Sequence, residues 1–225
     1  MKYKALIISI KGTKLSAREK FLLSKEKPWG IILFKRNLKT LGQTIKLISN
    51  IKKVTKNNNF PIIIDEEGET VSRLSGLINH DFNAIFFGNL YEKNKIYCKN
   101  FYKHYIQSLC KYLHVLGINI NTIPVLDVLR PYTNKIIGKR GFSRNKNTVK
   151  ELGDLTIKYL HQNKIAGVIK HIPGHGASIS DSHKKMPMVS MNLKKLNHID
   201  FYAFKSLNAQ FAMTAHILYK KIDKK

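Results

Sequence analysis

Cysteine is scarce in this chain, which has only Cys98 and Cys110 among its 225 residues. Two cysteines do not make a disulfide framework, and neither has metal-site spacing, so we expect buried thiols. Long apolar runs are also missing, and none approaches the ~20 residues of a membrane-spanning helix. The run at residues 5–10 is too short for a signal peptide core of ~7–15 residues, and Lys11 interrupts it. We therefore expect a cytoplasmic protein with no membrane partner.

Acidic residues are few, since 14 Asp and Glu stand against 40 Lys and Arg, giving a formal net charge of +26. The basic residues are scattered along the chain, with no Lys/Arg block, no RNA-recognition aromatic signature and no zinc-finger spacing. This distribution favours a solvated basic surface over a specific nucleic-acid partner. Weak, salt-sensitive attraction to polyanions still follows from the charge.

Six short apolar runs alternate with segments of helical spacing, which predicts a parallel sheet with right-handed crossovers. The predicted strands are residues 4–10, 30–34, 61–64, 118–125, 165–169 and 211–217. The predicted helices are residues 41–54, 95–116, 148–162 and 194–207. A chain of 225 residues fits one large domain or two small ones, and we expect a single domain over residues 1–225.

Polar residues follow nearly every predicted strand at its C-terminal end, as Asp65 and Asp127 do, and His216 ends the last one. This is the layout of a (β/α)8 TIM-type barrel, in which the active site lies on that face. Only about six of the eight strands are present, so we expect a C-terminally incomplete barrel. The remaining strands are expected after Lys225, and the sixth strand is expected to have an exposed edge.

The richest segment is Lys-His-Ile-Pro-Gly-His-Gly-Ala-Ser-Ile-Ser-Asp-Ser-His at residues 170–183, directly after the fifth predicted strand. A structural loop needs glycine and proline but not three histidines, so this loop is interpreted as a functional site. Lys170 and His171 begin it at the end of a buried strand, where an unpaired charge is costly. His175 lies between two glycines and is expected to shape the loop. Asp127 could orient a Lys or Arg side chain and His216 could contact a ligand, but both are interpreted as structural.

Several motifs together resemble the N-terminal barrel domain of glycoside hydrolase family 3. They are most similar to the single-domain β-N-acetylhexosaminidases of bacterial cell-wall recycling. The matching segments occur in family order at residues 30–37, 64–68, 71–74, 124–128, 137–143, 170–183 and 213–216. Each segment alone is weak, whereas the ordered set covers nearly the whole chain.

The resemblance implies a retaining glycosidase that releases terminal β-linked N-acetylglucosamine from peptidoglycan fragments without metal or organic cofactor. His183 matches the family's acid/base, and Asp181 matches the aspartate that orients it, a combination suited to proton transfer near neutral pH. The positions that match the sugar-binding residues are Asp65, Arg73, Arg140, Lys170 and His171. Asp65 as an ionised acceptor suits sugar hydroxyls, and Arg140 and Lys170 supply donors. Arg140 is expected in a loop near the fourth strand.

The chain departs from the family pattern in two places. Where the family has Gln-Glu-Gly-Gly-Arg after its aspartate, this chain has Glu-Glu-Gly-Glu-Thr at residues 66–70. The change removes a permissive glycine and brings the charge of Glu69 near the predicted sugar pocket. A retaining glycosidase also needs a carboxylate nucleophile, which the family places after the seventh strand, beyond this sequence. A truncated gene, a completing polypeptide and a degenerate binding protein are the three explanations.

Other functions stay open at this point. A metal-dependent hydrolase would use His171, His175, Asp181 and His183 as ligands, because these types and their number suit zinc or iron. Their spacing is not that of a helical His-Glu-x-x-His site. A non-catalytic carbohydrate-binding remnant would bind N-acetylglucosamine without turnover. Nucleic-acid binding has only the net charge in its favour.

Overall fold

The computed structural model describes residues 3–79, 81–178 and 186–222. Its main element is a six-stranded sheet in the order β1-β2-β3-β4-β5-β7, in which all neighbours are parallel. Its strands are β1 (Lys4–Ser9), β2 (Pro28–Leu33), β3 (Ile62–Ile64), β4 (Ile120–Asn121), β5 (Ala166–Ile172) and β7 (Phe211–Thr214). A separate parallel pair joins β6 (Met188–Val189) to β8 (Leu218–Tyr219). All six predicted strands are confirmed.

The fourth and sixth predicted strands are shorter than predicted, because the backbone there stops pairing with the neighbouring strand. The fourth predicted run keeps only Ile120–Asn121 as strand, because the chain turns at Thr122 and Pro124 has no N–H for a ladder bond. Beyond that turn, Val125 returns as an isolated bridge to Lys170. The last predicted run divides into β7 and β8, which belong to different sheets. His216 therefore lies after β7 in the connection between them.

Six α-helices are present in the described part of the chain: α1 (Ala17–Lys25), α2 (Leu41–Thr55), α3 (Ala84–Lys93), α4 (Lys95–Leu116), α5 (Lys146–Gln162) and α6 (Leu193–His198). Helices α2, α4 and α5 confirm the prediction to within two residues. The predicted helix at 194–207 is wrong beyond His198, since the chain continues as a 3-10 turn at Phe201–Phe204. Helices α1 and α3 were not predicted.

The sheet has two apolar faces of unequal burial. Strand residues alternate between faces, so Ile62 and Ile64 join the large core beneath the helices, with Phe87 and Ile106. Ile63 belongs instead to a small second cluster with Ile120 and Val168, bordered by Trp29 and Phe211. This second face corresponds to the interior of a barrel.

Both edges of the sheet are open among the described residues, because β1 pairs only with β2 and β7 only with β5. Leu6 and Ile7 of β1 are 55% and 53% exposed, and Met213 of β7 is 37% exposed. The predicted exposed edge of the sixth strand is confirmed. The architecture is therefore an α/β half-barrel, as expected for a TIM-type barrel that lacks its last strands.

The described helices include none that is long and apolar enough to cross a bilayer. Cys98 and Cys110 are free thiols buried on α4, as predicted. Burial raises the pKa of the Cys98 thiol to about 11 and that of the Cys110 thiol to about 12. Both therefore stay protonated and pack as small apolar residues.

Candidate active site

A cleft of about 670 Å³ opens at the C-terminal edge of the sheet. Loops after β3, β4, β5 and β7 line it, which is where a barrel of this type places its active site. Five of the seven predicted site residues lie in its wall, namely Asp65, Arg73, Arg140, Lys170 and His171. The other two, Asp181 and His183, lie outside the described residues. His216, interpreted as structural, also lines the cleft.

Asp65 follows β3 directly and is held on three sides. Its Oδ1 accepts a hydrogen bond from Thr122 Oγ1 at 2.6 Å, and its Oδ2 accepts one from Arg73 Nη2 at 3.1 Å. Lys170 Nζ lies 3.8 Å from Oδ1. Burial alone would raise the pKa of Asp65, but Lys170, Thr122 and Arg73 outweigh it and hold that pKa below its ordinary value. Asp65 is therefore an ionised acceptor at the floor of the cleft.

Glu67 is a buried carboxylate that the sequence reasoning missed. It accepts two hydrogen bonds from Arg140, from Nε at 2.7 Å and from Nη2 at 2.9 Å, and Lys170 Nζ lies 2.5 Å from its Oε1. Burial opposes its ionisation, yet Lys170 and Arg140 hold the pKa of Glu67 below its ordinary value. A two-point Arg–carboxylate pair fixes the orientation of the guanidinium. Glu67 thus joins the ends of β3 and β5 to the 3-10 turn Gly138–Arg140.

Lys170 is 2% exposed and is the most deeply buried of the predicted sugar-binding residues. Its Nζ donates to Thr122 Oγ1 at 2.8 Å in addition to its contact with Glu67. An ammonium group has three N–H donors. Thr122 and Glu67 take two of them, and Asp65 Oδ1 lies 3.8 Å away, so Lys170 organises the acceptors of the cleft besides lining it.

Asp127 was interpreted as structural, or as a partner for Lys or Arg, and the structure places it against His171. Its Oδ2 lies 2.7 Å from His171 Nδ1, and its Oδ1 accepts a hydrogen bond from the His175 backbone N–H at 2.6 Å. Burial alone would raise the pKa of Asp127, and the contacts with His171 and His175 outweigh it and keep that pKa low. Because an ionised carboxylate only accepts, His171 carries its proton on Nδ1. Its Nε2 is then the nitrogen left for a ligand.

Glu69, which stands where the family pattern has its second glycine, does not line the cleft. Its side chain is exposed and accepts a hydrogen bond from Asn83. Gly68 has a φ of +118°, whereas Glu69 is not among the described non-glycine residues of positive φ. The missing glycine therefore costs no backbone strain. The prediction that Glu69 brings its charge to the sugar pocket is therefore wrong, and the carboxylate in the cleft wall is Glu67, which matches the Glu of the family pattern.

In the first half of the histidine-rich loop, residues 174–178, every second carbonyl oxygen accepts a hydrogen bond from outside the loop. Gly174 O accepts from Tyr219 Oη at 2.8 Å, Gly176 O from Thr133 Oγ1 at 2.7 Å, and Ser178 O from the Asn134 backbone N–H at 3.3 Å. The segment that leads to Asp181 and His183 therefore has a fixed start.

The metal alternative rests partly on residues outside the described ranges, because Asp181 and His183 are two of its four ligands. Within residues 3–79, 81–178 and 186–222 there is no group of three or more His, Cys, Asp or Glu residues placed to hold a metal ion. His171 and His175 have ring centroids 6.1 Å apart, and Asp127 contacts both residues.

Parallel barrels with charged residues at their strand ends serve many kinds of enzyme, so the comparison with known domains decides the family. The model of the glycosyl hydrolase family 3 N-terminal domain matches residues 2–225, so the chain belongs to this family.

Two curated relatives are each 32% identical to this chain. The beta-hexosaminidase A of Pseudoalteromonas piscicida aligns over 216 residues, which are 90% of this chain and 35% of that protein. The beta-hexosaminidase of Idiomarina loihiensis aligns over 222 residues, 97% of this chain and 65% of that protein. Among solved structures, NagZ from Neisseria gonorrhoeae in complex with N-trifluoroacetyl-D-glucosamine superposes with a TM-score of 0.89 and 29% identity. The superposition covers 99% of this chain and 66% of the Neisseria chain. The chain thus spans less than two thirds of these relatives.

Proposed function

We propose that the cleft binds the terminal N-acetylglucosamine of a β-linked glycan, and that the chain forms the sugar-binding and acid/base part of a retaining β-N-acetylglucosaminidase. The observation that carries this proposal is the convergence of Asp65, Arg140, Lys170 and His171 on one cleft. A low-pKa carboxylate accepts from sugar hydroxyls, while the cations and His171 Nε2 offer further polar contacts. The names of the curated relatives and the sugar ligand of the Neisseria protein support the same substrate class.

The proton transfers are assigned to His183. In this proposal its imidazolium protonates the departing glycosidic oxygen, and the neutral ring then activates the water that releases the sugar. Asp181 orients the ring and stabilises its charged form. The hydrogen bonds that hold residues 174–178 support this assignment, because the acid/base must be positioned accurately against the bound sugar.

The nucleophile is assigned to further β/α units that pair with the open edges of β7 and β1. The carboxylates in the described cleft wall are all engaged, Asp65 with Arg73 and Lys170, and Glu67 with Arg140 and Lys170. A nucleophilic carboxylate must instead be free to form the glycosyl-enzyme bond. The additional units belong either to the same polypeptide or to a completing partner chain.

The engaged carboxylates also favour a second function for residues 1–225 taken alone, which is sugar binding without turnover. In that case the half-barrel recognises N-acetylglucosamine through the same residues, and no glycosyl-enzyme forms. For both functions the proposed natural ligands are peptidoglycan fragments, and no cofactor or specific nucleic acid takes part. The proposed compartment is the cytoplasm, where free thiols such as Cys98 and Cys110 remain reduced.

Hydrolysis of a 4-nitrophenyl β-N-acetylglucosaminide tests the proposal, with the corresponding β-glucoside as the control substrate. Two proteins are compared: the 225-residue chain, and a chimera that continues it with the part of the Neisseria NagZ beyond the matched region. We expect the chimera to hydrolyse only the N-acetyl sugar and the isolated chain to bind it without turnover. A folded chimera that hydrolyses neither substrate, or both equally, contradicts the proposed function.

The acid/base assignment is tested in the same chimera with His183→Ala. Substrates with a poor leaving group, such as phenyl glycosides, should slow far more than 2,4-dinitrophenyl glycosides, because an activated leaving group scarcely needs protonation. Equal losses on both kinds of substrate would remove His183 from this role.

A further inference from the structure

The backbone on either side of His175 is fixed by two glycines that tolerate no side chain. A Cβ at Gly174 would lie 2.8 Å from Asp200 Cβ, and the residue has a φ of +134°. A Cβ at Gly176 would lie 1.9 Å from Val128 O. The backbone N–H of His175 is held by Asp127 as well. The glycines and this backbone contact therefore set the shape of the loop, and the imidazole is not needed for it.

The imidazole of His175 is buried, and the described part of the chain supplies no hydrogen-bond partner for it. The residue is 4% exposed, and neither Nδ1 nor Nε2 has a hydrogen-bond partner among the residues that the structure describes. Buried polar side chains in folded proteins nearly always have such a partner. An apolar side chain at this position would avoid the desolvation cost of two unpaired nitrogens. The histidine is therefore a poor choice for stability alone.

His175 is one of the residues that line the cleft, and its ring centroid lies 6.1 Å from that of His171. We propose that His175 is a further substrate-binding residue, whose neutral imidazole pairs with a hydroxyl or amide group of the sugar. This inference rests on the proposed function, because the ligand is the N-acetylated aminosugar assigned above. It replaces the interpretation of His175 as a residue that only shapes the loop.

A neutral imidazole offers a kind of contact that the charged groups of the cleft do not. Asp65 only accepts, and Arg140 and Lys170 only donate, whereas a neutral imidazole has one donor and one acceptor. A sugar hydroxyl also both donates and accepts, so the two groups match. Burial holds the pKa of His175 below its ordinary value, against the opposing effect of Asp127, which keeps the ring neutral near pH 7.

Two apolar substitutions, His175→Leu and His175→Phe, separate a binding role from a structural one. Thermal unfolding is measured without ligand, and affinity for N-acetylglucosamine is measured by isothermal titration calorimetry on the full chain. We expect at least one variant to unfold at or above the wild-type temperature. Both should bind the sugar about tenfold more weakly, the loss of one hydrogen bond. His161→Gln, at an exposed position of α5, is the matched control and should change neither quantity.

Unchanged affinity in either folded variant would overturn the inference, and so would a lower unfolding temperature in both variants, which is the behaviour of a structural histidine. Wild-type protein that binds no N-acetylglucosamine would refute the proposed function and the inference with it. If the wild type binds the sugar and the variants bind it equally well, only the inference about His175 is refuted.

Discussion

The substitution Glu67→Gln removes the negative charge at the centre of the buried network in the cleft. Glu67 bonds Arg140 through two nitrogens and contacts Lys170 at 2.5 Å, and its side chain is only 5% exposed. Glutamine has nearly the same shape, so no cavity forms and the change is almost purely electrostatic. Lys170 and Arg140 then lose the negative charge that they share.

The expected loss in the free energy of unfolding depends on the partners that Lys170 and Arg140 retain. Breaking a buried ion pair by removing one partner costs about 3–5 kcal/mol. Lys170 retains Asp65 at 3.8 Å and Arg140 retains the carbonyl of Ile136 at 2.9 Å, so we expect the lower end, about 3 kcal/mol. For a chain of this size that corresponds to a lower Tm by roughly 6–12 °C.

Equilibrium unfolding in urea measures the change in the free energy of unfolding. The matched control is Glu26→Gln, which breaks the pair with Lys4, whose two side chains are 47% and 56% exposed. Exposed pairs contribute about 0–1 kcal/mol. The difference between wild type and Glu67→Gln should also depend on pH. Because the pKa of Glu67 is lowered on folding, its contribution is complete above the ordinary value of 4.5 and is lost as the pH falls through the lowered pKa.

Equal small losses for Glu67→Gln and Glu26→Gln would refute the view that Glu67 stabilises the two cations of the cleft. A difference between wild type and Glu67→Gln that does not shrink in acid would refute the assignment of Glu67 as an ionised group.

Two further predictions concern the surroundings of the cleft. Gly176→Ala should destabilise the fold by about 2 kcal/mol or more in urea unfolding, because its Cβ would lie 1.9 Å from the backbone oxygen of Val128. Gly42→Ala in the first turn of α2 is the control: its Cβ would meet nothing within 4 Å and the change should not destabilise, so equal losses for the two variants would contradict the packing. Asp127→Asn should weaken binding of N-acetylglucosamine, since an amide no longer fixes the protonated nitrogen of His171. Unchanged affinity would show that His171 needs no orientation.

The strands and the long helices were predictable because their apolar spacing reflects burial directly. Helix α1 was missed although its start is encoded, since Ser16 and Glu19 form a capping box. Helix α6 was predicted too long because the apolar residues after His198 pack in a 3-10 turn instead of a helical stripe. Local spacing therefore predicts where elements exist better than where they end.

The site was predictable only in part, because sequence spacing does not show which distant residues come into contact. Asp65 directly follows β3 and Lys170 lies among the last residues of β5, and their position alone brings them to one edge of the sheet. Glu67 and Asp127 act through partners 73 and 44 residues away along the chain, Arg140 and His171. Their pairing follows from the order of strands and not from sequence spacing, so only the structure reveals it.

Binding of N-acetylglucosamine to the 225-residue chain, compared with glucose and with the Asp65→Asn variant, tests the central claim most directly. The cleft of the half-barrel is predicted to bind N-acetylglucosamine saturably and glucose more weakly, and Asp65→Asn is predicted to lose about tenfold in affinity or more. Wild-type protein that binds neither sugar, or an Asp65→Asn variant that binds as well as wild type, would contradict the assignment of this cleft as the sugar site.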